Sequence, residues 1–506
     1  MRSRGEAIRK YILPFIVALG LKLLFIPLLP SLMKGVGTQI FPYHTAKLHG
    51  PKNQPIDTAA CPLFPRHPSP IVYYNPDYPS YIQLHIGIAK CLKCCHGCKM
   101  NSCFSKVLAE NYRLPTYGAI VMTLRAALGE YKAYEGIIIL QVLLAALASV
   151  FFGDIVSLIT QKESLRLPAT LIYASFPFIF RYEYILGSEG LYHSVLIFSI
   201  WSLYRSHLRS IKMLVMSGLF LTIAYTLRPL TILMFAPFSL YILIASEKEA
   251  WKKLAYFLSS FAAFEIIWMP LNWYAHGRPY LILKHHYAPG IDSTEWWRTS
   301  ELLRSFGDNY YWFYYSRYRL PRRAYTKDFG PQEEKHLVSL YQEYYAGKAP
   351  QSSVVNYALA WEKSIQKEKP FLYYIGSRFY AALNFLTSHI QEHVTYAPFR
   401  QVGGTHAIAY AYSILLWVIF VFGGLILSLY YLVKWKKEPF MAFLSLCAHV
   451  GWGSYAGLGL IQSRYILMGL VFFAVLVMIA IGKVLSQRTK LSLSPNSAHT
   501  PSNPVG

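Results

Sequence analysis

The chain has 506 residues, 54% of them apolar and 16% aromatic, and carries 49 Lys and Arg against 25 Asp and Glu, a formal charge of +24. Only 15% of its residues are charged and its mean hydropathy is +0.29, a balance that excludes a disordered chain and argues against an ordinary cytosolic enzyme. Nucleic-acid binding is a poor account of the charge, since it calls for a basic face on a polar chain, whereas basic excess within an apolar chain points to a membrane protein with basic cytoplasmic loops.

The first apolar run, Tyr11–Met33, follows a basic stub with Arg2, Arg4, Arg9 and Lys10. It is too long for a secretory signal core and no small-residue cleavage site follows, so it reads as a retained span with a cytoplasmic N-terminus. Residues 31–135 then form a first extracytoplasmic loop, too long to be a plain connector. Near its end Thr116–Gly129 is apolar but short and contains Arg125, which suits a helix lying in the interface. Further spans are predicted near Gly136–Thr160, Leu167–Phe180, Gly190–Tyr204, Met213–Leu227, Pro229–Ala245, Leu254–Trp273, Ala407–Val433, Pro439–Leu458 and Tyr465–Leu485. The expected fold is an all-α polytopic membrane protein with about 10–12 transmembrane helices, interfacial helices and two large extracytoplasmic loops.

Threaded alternately from an inside N-terminus, the cytoplasmic connectors fall at Gln161–Arg166, Arg205–Lys212, Ser246–Lys253 and Lys434–Glu438, with the tail from Gln487. Each contains Lys or Arg, as the positive-inside rule requires. Residues 274–406 form the second extracytoplasmic segment, where Tyr373–Ile390 is another interfacial candidate. Residues 1–485 thus read as one integral membrane domain and 486–506 as a disordered cytoplasmic tail, rich in Ser and Pro from Ser492.

Five of the seven Cys, Cys91, Cys94, Cys95, Cys98 and Cys103, lie in one run with His96, and Cys61 precedes them in the same loop. Their spacing resembles a zinc knuckle, while an extracytoplasmic position favours disulfides. Disulfides, a structural metal and partly free thiols all stand as readings, none of them catalytic. Cys447 sits in a span and reads as a small apolar residue.

Asp77, in Asn75-Pro-Asp-Tyr-Pro-Ser-Tyr81, precedes an amphipathic stretch and stands where a lipid headgroup would be met. It is a candidate general base, while Asn-Pro-Asp is also turn chemistry in its own right. Glu189, in Gly187-Ser-Glu-Gly190, enters a span and doubles as a helix N-terminal charge. Arg228-Pro229 and Arg464-Tyr465 stand at outer span ends, either snorkelling or holding a phosphate. The pairs His285-His286 and Trp296-Trp297 read as headgroup-level residues in preference to a sugar platform. No Gly-rich phosphate loop, His-Glu-x-x-His or Gly-x-Ser-x-Gly motif occurs.

In their order along the chain, Asp77, Tyr81, Arg113-Leu-Pro-Thr-Tyr117, Gly129, Ser188-Glu189, Arg228-Pro229, Trp268-Met-Pro-Leu-Asn272, Lys369-Pro-Phe-Leu-Tyr-Tyr374 and Arg464-Tyr465 resemble a family pattern. The chain resembles the polyprenyl-phosphate-sugar-dependent integral membrane glycosyltransferases of the C superfamily, which include protein mannosyltransferases and aminoarabinose transferases of the bacterial envelope. The likeness runs from Asn75 to Leu485. The stretch Ser31–Tyr74 and the Cys cluster are not part of the family pattern.

The resemblance implies transfer of one sugar, with inversion, from a polyprenyl-phosphate carrier to a hydroxyl of a lipid, polysaccharide or protein. The expected site is the extracytoplasmic face of a bacterial inner membrane. Asp77 is implied as the catalytic base, with Glu189 assisting it or positioning the sugar. Arg464, Arg113 and Arg228 are implied to meet the carrier phosphate, and Tyr81, Tyr117 and Tyr465 to line the substrate. No metal ligands are assigned. Some members carry two adjacent acids in the first loop where this chain has Pro-Asp-Tyr, so a divalent cation stays open. The alternative class is a lipid-linked glycan transporter or flippase, which accounts for the spans and outer Arg residues but not for two large outer segments.

Overall fold

The computed structural model describes residues 4–24, 73–74, 115–246, 248–276, 331–345, 348–376, 379, 382, 404–457 and 466–492. Within them the chain is helical apart from connectors and one parallel pair of two-residue strands. The order is α1 (Arg4–Leu24), β1 (Tyr73–Tyr74), α2 (Pro115–Leu128), α3 (Glu130–Thr160), α4 (Arg166–Ala174), α5 (Pro177–Glu183), β2 (Ile185–Leu186), α6 (Glu189–Ser206) and α7 (Ile211–Leu227). Then follow α8 (Phe235–Ala245), α9 (Ala250–His276), α10 (Pro331–Tyr345), α11 (Gln351–Glu368), α12 (Gly404–Trp417), α13 (Gly424–Val433), α14 (Pro439–Gly457) and α15 (Leu467–Ser492).

Among the described residues, four helical runs are long and apolar enough to cross a membrane: Lys132–Thr160, Ala250–Leu271, Ala411–Val433 and Leu467–Leu485. The third is continuous because a π segment, Val418–Gly423, joins α12 to α13. The molecule is therefore an all-α membrane protein. Its apolar side chains also face outwards, with Ile266 and Ile267 on α9 being 68% and 67% exposed. Hydrocarbon solvates such a face and water does not.

Helices α10 and α11 fall in the second predicted extracytoplasmic segment, where the sequence marks no apolar run; the other helices follow the apolar runs read from the sequence, with three main differences. Leu167–Phe180 is not one helix: Phe176 is extended (φ −69°, ψ 106°) and Pro177 starts a new helix. Proline disfavours the α conformation in the residue before it, so the run divides into α4 and α5, each far shorter than a bilayer's hydrocarbon core. The same rule acts at Arg228 (φ −142°, ψ 108°) before Pro229, so a 3₁₀ turn (Pro229–Met234) precedes α8. Lastly, α15 continues to Ser492, past the predicted boundary at Leu485, since Gln487, Arg488 and Lys490 are good helix formers. The interfacial candidate at Thr116–Gly129 is the helix α2. Of the candidate at Tyr373–Ile390, a π turn at Leu372–Gly376 is described and most of the remainder lies outside the described residues.

Helix α3 is the hub, packing against α1, α2, α4, α6 and α15, while α6 packs on α7, α7 on α9 and α14 on α15. Close approach needs glycine where helices touch through their backbones. A Cβ on Gly218 of α7 would stand 1.9 Å from the Phe257 carbonyl oxygen of α9, and one on Gly451 of α14 would stand 2.7 Å from the Gly469 nitrogen of α15. Gly218→Val is therefore expected to cost about 1–3 kcal/mol by forcing α7 and α9 apart. Thermal unfolding in detergent reads this loss. Gly20→Ala, whose Cβ would meet nothing within 4 Å, should be neutral or mildly stabilising in the same assay.

Several polar contacts bring the basic connectors to one end of the bundle. Lys10 lies 3.4 Å from Glu163, the Lys162 ammonium donates to the Leu485 carbonyl (3.3 Å), Lys483 pairs with Glu438 (2.6 Å), and Arg205 donates to the Tyr11 hydroxyl (2.7 Å). Exposed pairs of this kind add little stability, but they establish which helix ends are neighbours. They are the start of α1, the α3–α4, α6–α7 and α13–α14 turns, and the far half of α15.

Candidate functional site

The other end of the bundle is organised around the short segment between α5 and α6. Strand β2 pairs in parallel with β1, in the register Tyr73 to Ile185 and Tyr74 to Leu186. A two-residue pair supplies little stability by itself, and β2 is held by a side chain from α3. Gln141 Nε2 donates to the carbonyl oxygens of Glu183 (2.8 Å) and Ile185 (3.1 Å), and its Oε1 accepts from the Tyr117 hydroxyl (3.2 Å) of α2. All three bonds are buried, which is how carbonyls outside a helix are satisfied away from water. Gly190 completes the fit, because a Cβ there would stand 2.5 Å from Gln141 Nε2 and 2.7 Å from the Tyr182 carbonyl.

Helix α6 begins at Glu189, which is 1% exposed. A carboxylate in the first turn suits the helix dipole. Its charge is met by Arg228, with which it forms an ion pair. Proline 229 fixes the extended backbone that carries Arg228 off the end of α7. The next turn repeats the junction with neutral groups, as Thr231 Oγ1 donates to the Tyr192 hydroxyl (3.1 Å). Within α7, the Tyr225 hydroxyl, one helical turn before Arg228, donates to Glu265 of α9 (2.8 Å).

A second buried pair lies behind this one. Lys22 of α1 donates to both oxygens of Glu183, at 2.6 and 2.8 Å, and both side chains are 1% exposed. Lys22 also approaches the Ala174 carbonyl (3.4 Å), and its own carbonyl accepts from the Tyr184 hydroxyl (3.0 Å). His193 donates from Nδ1 to the Glu189 carbonyl (3.1 Å), and its Nε2 stands 3.7 Å from Glu183 Oε1. Glu183 lies between the predicted spans 167–180 and 190–204. Burial raises its carboxyl to about 7, against the opposing pull of Lys22.

Of the catalytic and substrate-binding candidates, three are described and converge on this segment: Glu189, Arg228 and Tyr117. Asp77, Tyr81, Arg113, Arg464 and Tyr465 lie outside the described residues, as do His285, His286, Trp296, Trp297 and the cysteines from Cys61 to Cys103. Cys447 is buried in α14 as a thiol. Among the described residues no group of three or more His, Cys, Asp or Glu side chains is arranged to hold a metal ion. Sequence reasoning missed Lys22, Gln141, Glu183, His193 and Glu265. The signal was present for most of them: a charged or amide side chain inside an apolar run needs a partner from another helix.

Chemically, the segment is a polar junction at one helix-bundle end, with two buried acids each neutralised by a base. It holds β2, and with it β1, against the start of α6. No protein-family model, curated protein or solved structure matches the chain.

Proposed function

We propose that the chain is a multi-pass glycosyltransferase of the bacterial inner membrane that moves one sugar from a polyprenyl-phosphate carrier to an acceptor hydroxyl at the extracytoplasmic face. The observation that carries this reading is the β1–β2 pair. Tyr74 stands opposite Leu186. Asp77, itself outside the described residues, follows Tyr74 in the sequence at the same chain distance as Glu189 follows Leu186. The proposal brings the two acids picked from the sequence, separated by more than a hundred residues in the chain, into one site.

In the proposed reaction Asp77 accepts the acceptor's hydroxyl proton while that oxygen bonds to the sugar C1. The bond from C1 to the carrier phosphate oxygen breaks, and the electron pair leaves with the polyprenyl phosphate. A single displacement inverts C1. The transition state is oxocarbenium-like, so orientation of donor and acceptor supplies much of the rate. Arg464 and Arg113 are the proposed phosphate partners. Arg228 is already neutralised by Glu189, and this pair is proposed to position the loop and the sugar. The acceptor is a lipid, a polysaccharide or a protein.

The test is to supply membranes containing the protein with a polyprenyl-phosphate sugar labelled in the sugar. Covalently labelled acceptor with inverted anomeric configuration is the expected result. Label that crosses the membrane still attached to its carrier supports a transporter or flippase and overturns the proposal.

A further inference from the structure

At the opposite end of the bundle, beside the basic connectors, lies an open cavity of about 420 Å³ lined by Tyr11, Phe151, Trp201, Arg205 and Met213. We propose that it is a binding site for an anionic phospholipid of the cytoplasmic leaflet, with the lipid phosphate on Arg205 and the start of an acyl chain against Phe151 and Met213.

The cavity is lined mainly by apolar and aromatic side chains with one charged group, Arg205, and that charged corner is built. Asp154 is fully buried, and its Oδ1 pairs with Arg166 at 2.6 Å. Its Oδ2 accepts from the Trp201 indole (2.9 Å), the Tyr11 hydroxyl (3.3 Å) and Arg205 Nη2 (3.1 Å). Arg166 also pairs with Glu163, which Lys10 approaches to 3.4 Å. Two acids, Asp154 and Glu163, thus face three bases, Lys10, Arg166 and Arg205, leaving one positive charge over. Arg166 is sealed in, with 3% side-chain exposure, while Arg205 is 30% exposed. Among the described residues Arg205 makes its hydrogen bonds through Nη2 alone, to Asp154 and Tyr11. Its planar fork keeps donors for a further oxygen, the geometry that suits a phosphate.

The apolar half is rigid. Phe151 and Trp201 stack at 4.2 Å with only 6° between their planes, and the indole is fixed by its bond to Asp154. Met213 lies in the first turn of α7, whose N-cap Ser210 accepts from the Met213 amide. Arg205 is one residue from the end of α6, the depth at which a headgroup sits when the helix emerges from hydrocarbon. Arg209 and Lys212 of the adjoining turn are exposed and add to the local positive potential. Basic pockets between helices on the cytoplasmic side are where anionic headgroups are retained. A neutral lipid gains nothing from the surplus charge, and a water-soluble phosphate gains nothing from the aromatic wall.

The experiment is native mass spectrometry and thermal unfolding of the full chain reconstituted with phosphatidylglycerol or with phosphatidylcholine. The expected result is retention of phosphatidylglycerol, with a higher midpoint than in phosphatidylcholine. Arg205→Gln should lower that retention about tenfold, the loss of one charge-assisted hydrogen bond. Because this variant also loses its bond to Asp154, Met213→Trp is the second arm: it fills the cavity, leaves every ion pair in place, and should abolish the retained lipid. Lys363→Gln, exposed on α11 and outside the cavity, should keep it. Equal retention of the two lipids, or undiminished phosphatidylglycerol on Met213→Trp, overturns the proposal. So does an equal stabilisation by glycerol 3-phosphate, which carries the phosphate without acyl chains.

Discussion

Asp77→Asn is expected to lower sugar transfer by about 10²- to 10⁴-fold, the usual contribution of a positioned general base, while the protein folds and inserts as before. The substitution keeps the size of the side chain and removes only its ability to take a proton. It also separates the two readings of Asn75-Pro-Asp77 cleanly. Asn is as good a turn former as Asp, since both bond their own backbone two residues on. A residue that serves only the turn therefore tolerates the change, and a base does not. Glu189→Gln makes the informative comparison. Glu189 is buried and paired with Arg228, so neutralising it leaves a buried cation with less compensation, and lost activity should come with a lowered unfolding midpoint. Turnover at saturating donor and acceptor, measured beside thermal unfolding, distinguishes the two. An Asp77→Asn protein with full turnover would remove the acid on which the glycosyltransferase reading rests.

How much of this was legible in the sequence depends on the range of the signal. Apolar runs are local averages, and most helices of the bundle stand where those averages put them, whereas α10 and α11, which are not apolar runs, were not legible in this way. The basic connectors were legible for the same reason, and the contacts among Lys10, Glu163, Lys162, Leu485, Lys483 and Glu438 bring several of them together. The break at Pro177 was a local signal that averaging over Leu167–Phe180 hid. Strand β1 was not legible, because two residues have no periodicity and their partner is more than a hundred positions away. The buried pairs were half legible. A charge in an apolar run announces that it needs a partner, but Lys22 and Glu183 are 161 residues apart and nothing in either neighbourhood names the other. Scarcity of acids was the better guide. With only 25 in the chain, Asp154, Glu183, Glu189 and Glu265 are each buried against a hydrogen-bonding or basic partner. Reading Glu189 as a site residue, and Asp154 not at all, reflected which acid stood in a recognisable motif.

Lys22→Met should destabilise the protein most at alkaline pH, where ionising Glu183 finds no partner charge and the loss approaches the roughly 3–5 kcal/mol of a broken buried ion pair. Glu183 has both oxygens on the Lys22 ammonium at 2.6 and 2.8 Å, and its surroundings otherwise offer the His193 ring at 3.7 Å. The double variant Lys22→Met/Glu183→Met should recover most of the loss, because well-packed apolar residues of similar length replace a buried ion pair at little net cost. The loss depends on pH through the Glu183 carboxyl. Burial already holds the Glu183 carboxyl at about 7 in the presence of Lys22, above the value of about 4.3 expected in the unfolded chain. A carboxyl raised on folding contributes stability that is present below its unfolded value and lost as pH rises through its folded value. Removing Lys22 moves that folded value further up. The Lys22→Met protein should therefore keep a constant offset from wild type up to about pH 7 and fall progressively behind it as pH rises to 8 and beyond, while the double variant, with no carboxyl at position 183, should lack this titration altogether. Unfolding in mixed micelles across that range reads all three proteins. If the single and double variants are equally unstable at pH 8, the cost lies in lost packing of the lysine stem against α4 and α5 and not in a stranded charge.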